Sequence, residues 1–184
     1  GVVVCWEGFP IFGEEERVLV VVGERDTLLL CCETGSGKTT QVPQFLYEAG
    51  YGHPDGGQRR GLVGVTQPRR VAAIAMAQRV AHELNTPVGG TVAYQVRYDS
   101  SSVGKDCRIK FMTDGVLLRE VGQDLLLQKY SAIVLDEAHE RGVNTDLLLG
   151  LLSRVVQLRA RAAESAPAAG APSAGPLKLI IMSA

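Results

Sequence analysis

The 184-residue sequence predicts an α/β domain, a mainly parallel, doubly wound sheet flanked by helices. Three observations carry that prediction. Short apolar runs rich in β-branched residues alternate along the chain with stretches of helical period. The first well-defined run, Thr27–Cys32, ends in a glycine-rich turn that opens a helix. The polar residues with obvious chemistry fall just after such runs, where an open parallel sheet places its ligands.

Taken in order, residues 1–13 carry little pattern, although Phe9, Pro10 and Ile11 could form an anchoring turn. Glu14 to Arg17 could open a short helix with acids at its start. Val18 to Val22 is strand-like by residue type, so helix and strand both stand open there. Residues 38–49 read as a helix ending at Gly50, with Pro43 within reach of the first turn, where its missing N–H costs least. Residues 51–60 form a loop, residues 62–66 a second strand and residues 67–70 a turn. A helix over 70–84 follows, with Val71, Ile74, Ala77, Val80, Ala81 and Leu84 recurring every three or four positions on one face. Residues 91–97 alternate, with Val92, Tyr94 and Val96 pointing one way. A polar loop over 99–106 leads into a strand over 108–112. Asp114 suits the N-cap of a helix over 116–121. Residues 131–135 read as a buried strand, 144–163 as a helix and 177–182 as a last strand. The segment 162–176 is rich in Ala, Pro, Ser and Gly and reads as a flexible insertion.

Composition narrows the function classes. Hydrophobic residues make up 46% and charged residues 21%, an ordinary globular balance. A net charge of −1 excludes a uniformly basic nucleic-acid coat, so any nucleic-acid contact comes from a local patch. Cys5, Cys31, Cys32 and Cys107 lack metal-ligand spacing and read as thiols in a reducing compartment. No apolar run approaches the ~20 residues of a membrane span. There is no secretory signal and residue 1 is not Met, so the chain reads as a fragment.

The stretch Glu33-Thr34-Gly35-Ser36-Gly37-Lys38-Thr39-Thr40 has the layout of a phosphate-binding loop. Gly35 and Gly37 let backbone N–H groups converge on phosphate oxygens, and the helix N-terminus adds partial positive charge there. Lys38 would reach the β- and γ-phosphates, and the Thr39 hydroxyl would hold Mg²⁺. Cys32 stands where the usual pattern G-x-x-x-x-G-K-[ST] has its first glycine. Its Cβ is expected to force a small backbone adjustment or narrow the loop, weakening nucleotide binding without abolishing it.

Asp136 ends an apolar strand, as a Walker B acid does, and would hold Mg²⁺ through water opposite Thr39. Glu137 follows directly and could orient and deprotonate an attacking water. His139 reads as a link between the phosphate site and moving elements in preference to a purely structural histidine. Arg69 and Arg70 at the start of a helix oppose its dipole, which points to an anionic partner such as a nucleic-acid backbone. Arg97, Lys105, Arg108 and Lys110 read as plain surface charges.

These residues together resemble a known family. Asp136-Glu137-Ala138-His139-Glu140-Arg141 spells the signature of DEAH-box RNA helicases of superfamily 2. Around it stand ETGSGKTT at 33–40, TQPRRVAA at 66–73, TDGVLLRE at 113–120 and Ser183-Ala184 at the start of a further motif. Order and spacing match across 27–184, while 1–26 match poorly. Residues 47–51 and 95–98 look like the nucleolar branch that acts in small-subunit ribosome assembly.

The resemblance implies the first of two RecA-like domains, with the 177–182 strand between the phosphate-loop strand and the Asp136 strand. It implies that Thr34, Gly35, Ser36, Gly37, Lys38, Thr39 and Thr40 wrap the phosphates of ATP or another NTP. Asp136 and Glu137 would serve Mg²⁺ and water. Arg79 would stack on the base without base selectivity. Arg69 or Arg70, with Thr113 and Asp114, would touch an RNA backbone, and Ser183 would couple hydrolysis to domain movement. Pre-ribosomal RNA, a protein activator and a nuclear, nucleolar location are implied in the same way. The second RecA-like domain is absent from 1–184, so very slow hydrolysis and no unwinding are expected of this chain alone. The alternatives are a truncated RNA- or partner-binding product without turnover, and a phosphate-loop ATPase unrelated to nucleic acid.

Overall fold

The computed structural model describes residues 2–6, 11–99, 103–165 and 175–184. Phe9 and Pro10 of the anchoring turn, and 166–174 of the Ala/Pro-rich stretch, lie outside the described residues.

Among the described residues, twelve regular elements follow one another: β1 (Val2–Trp6), α1 (Glu15–Glu24), β2 (Thr27–Cys32), α2 (Lys38–Glu48), β3 (Leu62–Gln67), α3 (Arg70–Glu83), β4 (Val92–Gln95), β5 (Ile109–Thr113), α4 (Asp114–Gln123), β6 (Tyr130–Leu135), α5 (Val143–Ser165) and β7 (Lys178–Ser183). Short 3₁₀ turns stand at Ile11–Glu14, Gly57–Arg59 and Ala138–Glu140. The seven strands form one sheet in the order β1-β2-β7-β6-β3-β5-β4, and every pairing is parallel. This is a RecA-like α/β arrangement, with β7 between β2 and β6 as the resemblance implies.

Alternation along the strands explains why both faces need cover. Val63, Val65, Phe111, Ala132 and Val134 belong to a cluster with Val18 of α1, Val42 and Phe45 of α2 and Val80 of α3. Their strand neighbours Met112, Ile133 and Leu135 join Leu117 of α4 and Leu148 and Leu152 of α5. A sheet buried on both faces is the expected consequence of parallel crossovers.

Several local expectations change. Val18 to Val22 is helical, because Val18 and Val22, four residues apart, both reach the core from α1. β1 was not anticipated, although Val2, Val3 and Val4 are β-branched. Pro43 is the sixth residue of α2, inside the helix and not in its first turn. Val71 is 79% exposed, and the buried stripe of α3 is Ala73, Ala77, Val80 and Ala81. Asp114 is the first residue of α4, with Thr113 at the N-cap. The last helix runs through Ser165, so 162–165 of the expected insertion are helical.

Two buried ionic features brace the lower half of the sheet. Arg159 of α5 is 2% exposed and donates to the carbonyls of Leu127, Tyr130 and Gly175. Burial brings its pKa down to about 10. Lys110 is not a surface charge: it is 2% exposed, and its Nζ donates to Glu120 Oε1 at 2.7 Å and to Tyr130 Oη at 3.2 Å. A lysine inside a parallel strand needs such a partner to be tolerated there.

Candidate functional site

The carboxyl ends of β2, β3, β6 and β7 converge, and the side chains singled out by the sequence gather there. β2 delivers the loop 33–37 to the start of α2. Gly35 and Gly37 have φ of 87° and 86°, in the left-handed region where a side chain would be strained. Helix α2 begins at Lys38, and the N–H groups of Thr40 and Gln41 donate to Gly37 O at 3.1 and 2.9 Å, which leaves those of Lys38 and Thr39 without a partner inside the helix. Ile11 supports the loop from behind through its N–H, which donates to Ser36 O at 3.0 Å.

Cys32 does not distort this turn. It completes β2, is 4% exposed and packs its side chain in the core. It is also not among the positive-φ residues, so nothing in the backbone demands glycine there. Its carbonyl accepts from Lys38 Nζ at 3.4 Å, which folds the buried lysine back under the loop.

The acidic end of β6 meets the loop directly. Asp136 is 1% exposed, and its Oδ2 accepts from Thr39 Oγ1 and from Gln67 Nε2, each at 2.6 Å. Its Oδ1 accepts from the N–H of Glu137 at 2.9 Å. Glu137 itself sits at φ 53°, ψ 37°, a strained setting for a non-glycine residue. It lines a cavity of about 400 Å³ together with Thr34, Gly35, Gly37, Lys38, Thr39, Thr40, Gln67, Ala72 and Met76. Ser36 Oγ is buried without a hydrogen-bond partner among the described residues.

His139 joins this cluster to β7. Its Nε2 lies 3.4 Å from Glu137 Oε2, and its Nδ1 accepts from the N–H of Ala184 at 3.2 Å. The Ser183 hydroxyl donates to Ala184 O at 3.1 Å, so the histidine touches the Ser183-Ala184 segment through backbone. Arg79 stands one turn beyond Met76 on α3, where its Nε donates to Glu83 Oε1 at 2.6 Å. Sequence reasoning overlooked Glu83 and Gln67. Gln67 stands inside the TQPRRVAA motif at 66–73, and its position at a strand end beside Pro68 was the signal that could have singled it out.

The expected RNA-facing residues lie beside this cavity in a second one of about 500 Å³. It is lined by Arg70, Thr113 and Asp114, and also by Arg97 and Arg119. Arg97 therefore shares a concave basic surface and is not an isolated surface charge. Arg119 was not anticipated. Arg69 points elsewhere, with Nη2 3.6 Å from Glu140 Oε1. The Asp114 carboxylate is 5% exposed, and its Oδ2 accepts from Thr145 Oγ1 at 2.5 Å. That bond ties α4 to α5, so the carboxylate is turned inward and is not presented to a phosphate.

Chemically, the first cavity offers the glycine loop and Lys38 on one side and oxygens of Thr39 and Glu137 on the other, with the Asp136 carboxylate held directly behind Thr39. Among the described residues no group of three or more His, Cys, Asp or Glu gathers as a metal cage. No helix of the described residues is long and apolar enough to cross a membrane.

Known proteins are similar to this chain in sequence. Residues 15–171 match the DEAD/DEAH box helicase family. The chain is 55% identical over 175 residues to the probable ATP-dependent RNA helicase DHR1 of Saccharomyces cerevisiae, covering 95% of this chain and 13% of that protein. It is 53% identical over 175 residues to the human probable ATP-dependent RNA helicase DHX37, with 95% and 14% coverage. It is 54% identical over 175 residues to the Drosophila melanogaster probable ATP-dependent RNA helicase kurz, with 95% and 13% coverage. The chain thus spans 13–14% of the length of these relatives. The loop, the acidic strand end and the family match agree, and the chain belongs to the DEAD/DEAH box helicases.

Proposed function

We propose that this chain is the ATP-binding part of an ATP-dependent RNA helicase that remodels pre-ribosomal RNA in the nucleolus. The observation that carries the nucleotide assignment is the meeting of Thr39 and Asp136 at 2.6 Å beside the glycine loop. The loop N–H groups and Lys38 would take the phosphates of ATP or another NTP, with Thr34, Ser36 and Thr40 completing the cradle. Arg79 would provide a flat cation for the base.

The residues fit Mg²⁺. A hydroxyl and a carboxylate are the hard oxygen donors it prefers, with phosphate and water filling the remaining positions. Thr39 and Asp136 would hold the ion, which would supply positive charge to offset the charge developing on the phosphates. Glu137 would accept the proton of the attacking water. Its contact with His139, and that residue's contact with Ala184, offer a route from the reacting water to the Ser183 segment. RNA would lie along the basic cavity of Arg70, Arg97 and Arg119, with Thr113 at its edge and Arg69 reached by exchange from Glu140. The nucleolar, pre-ribosomal assignment rests on the resemblance at 47–51 and 95–98, and an activating protein partner belongs to the same reading.

The test is titration of the chain with ATP and Mg²⁺. Binding should fall at least about tenfold in Lys38→Ala, which removes the lysine that lines the cavity. Equal affinity in wild type and Lys38→Ala would refute the site. The competing reading is a binding module without turnover. RNA-stimulated phosphate release, measured in the longest form of the protein that can be produced, separates the two.

A further inference from the structure

Glu83 closes α3 and belongs to none of the motifs. Yet both of its carboxylate oxygens are engaged, and they face different ways. Oε1 accepts from Arg79 Nε at 2.6 Å. Oε2 accepts from Gln44 Nε2 at 2.6 Å and from Gln41 Nε2 at 3.0 Å. Both glutamines lie on α2, the helix whose first turn carries Lys38 and Thr39. Gln44 is 8% exposed, and its amide also donates to Thr40 O at 2.9 Å.

An exposed i,i+4 Arg–Glu pair alone is a loose association. Here the carboxylate is first immobilised by two amides from a neighbouring helix, with its side chain only 20% exposed. Burial pushes this carboxyl up, and the bonds from Arg79, Gln44 and Gln41 outweigh it, so its pKa lies below the ordinary value. A guanidinium held at Nε by a fixed acceptor loses its freedom to rotate away. Its planar face, 65% exposed as a side chain, remains open to a flat partner.

We propose that Glu83 is a positioning residue: it holds the Arg79 guanidinium as a base platform at a set distance from the phosphate cradle, through α2. The inference rests on the reading of Arg79 as the base contact. It predicts that Glu83 matters only for ligands that carry a base. A bare polyphosphate uses the Lys38-Thr39 end of α2 and never reaches Arg79.

The test uses the chain with Mg²⁺ and two ligands, ATP and inorganic tripolyphosphate, against wild type, Arg79→Ala, Glu83→Gln and the double variant. Glutamine keeps the shape of Glu83 but offers one acceptor and one donor, so it cannot serve both Arg79 and the two amides. Each single variant should weaken ATP binding about threefold to fivefold, the size of an exposed cation–π contact. Tripolyphosphate binding should not change, and the double variant should be no weaker than Arg79→Ala. Glu83→Asp, which withdraws the carboxylate by one methylene, should repeat the ATP-only loss and serves if Glu83→Gln does not fold. Equal loss for both ligands, no loss in Glu83→Gln, or losses that multiply in the double variant would overturn the proposal. If Arg79→Ala weakens ATP and Glu83→Gln does not, only this inference falls. If wild type binds both ligands alike and Arg79→Ala is silent, the base-platform reading falls with it.

Discussion

Replacing Glu120 by Gln tests the buried network that fixes the C-terminal half of α4 to the sheet. Glu120 Oε1 accepts from Lys110 Nζ at 2.7 Å and lies 2.8 Å from Lys129 Nζ, while Oε2 accepts from Tyr130 Oη at 2.6 Å. The side chains of Lys110 and Glu120 are 2% and 11% exposed, so water cannot stand in for either. The amide leaves Lys110 as a buried cation facing a neutral group. Removing one partner of a buried pair costs about 3–5 kcal/mol. Taking the lower end, a chain of this length should lose about 6–12 °C in Tm, since each kcal/mol moves it by roughly 2–4 °C. Thermal unfolding followed by circular dichroism measures it. Adding Lys110→Met removes the stranded charge and should recover more than half of the loss.

The pH dependence has a definite sign. Burial pushes the Glu120 carboxyl up, but the bonds from Lys110, Lys129 and Tyr130 outweigh it and hold its pKa below the ordinary 4.5. A lowered folded-state pKa contributes stability that is complete above 4.5 and is lost as pH falls through the folded value. The gap between wild type and Glu120→Gln should therefore be constant near neutrality and close below pH 4.5. A Tm loss under about 2 °C, or a gap that widens in acid, would refute the network as described.

Two further outcomes follow from buried cysteines. Cys32→Gly should leave ATP affinity within about twofold, because the native backbone there needs no glycine, but should cost about 1 kcal/mol of stability through lost packing and added chain freedom; titration and thermal unfolding of the same sample read both. Burial pushes the Cys107 thiol up to about 11 against the pull of Lys110 and Arg108, so iodoacetamide should not modify it in the folded chain at pH 8 and should begin to do so only as pH nears 11; fast labelling at pH 8, read by mass, would contradict its placement.

The fold was legible where local pattern and tertiary role agree. β2, the turn after it and β6 combine apolar strands with residues that nucleotide chemistry requires, so spacing alone placed them. α1 was not legible, because Val18 to Val22 favours strand by residue type and only docking of Val18 and Val22 against the sheet selects helix. Lys110 was misread for a similar reason. Its partners Glu120 and Tyr130 are 10 and 20 residues away, and only folding brings them within reach. Asp114 reads in sequence as a helix N-cap or RNA contact, and the fold gives its carboxylate a partner in Thr145, 31 residues on. Motifs thus revealed the groups at the ligand, but not which of the polar side chains in and around them hold those groups in place.

Gln67 is the clearest case of that second kind, and it can be tested. Its amide supplies one of the two 2.6 Å bonds on Asp136 Oδ2, the other coming from Thr39. Gln67 is 3% exposed, ends β3 and directly precedes Pro68, Arg69 and Arg70, so one side chain joins the turn that would face RNA to the Asp136 carboxylate that would face Mg²⁺. Leucine at 67 fills similar space but donates nothing, which leaves Asp136 to be oriented by Thr39 and the Glu137 N–H alone. A hydrogen bond to a charged group is worth about 1.5–3 kcal/mol, so ATP affinity in the presence of Mg²⁺ should fall about tenfold or more in Gln67→Leu. Without Mg²⁺ the affinity should not change, because Lys38 and the loop N–H groups do not depend on Gln67. An equal fall with and without the ion would mean that Gln67 shapes the loop and not the carboxylate, and the link between the two ends of this site would then have to run through another residue.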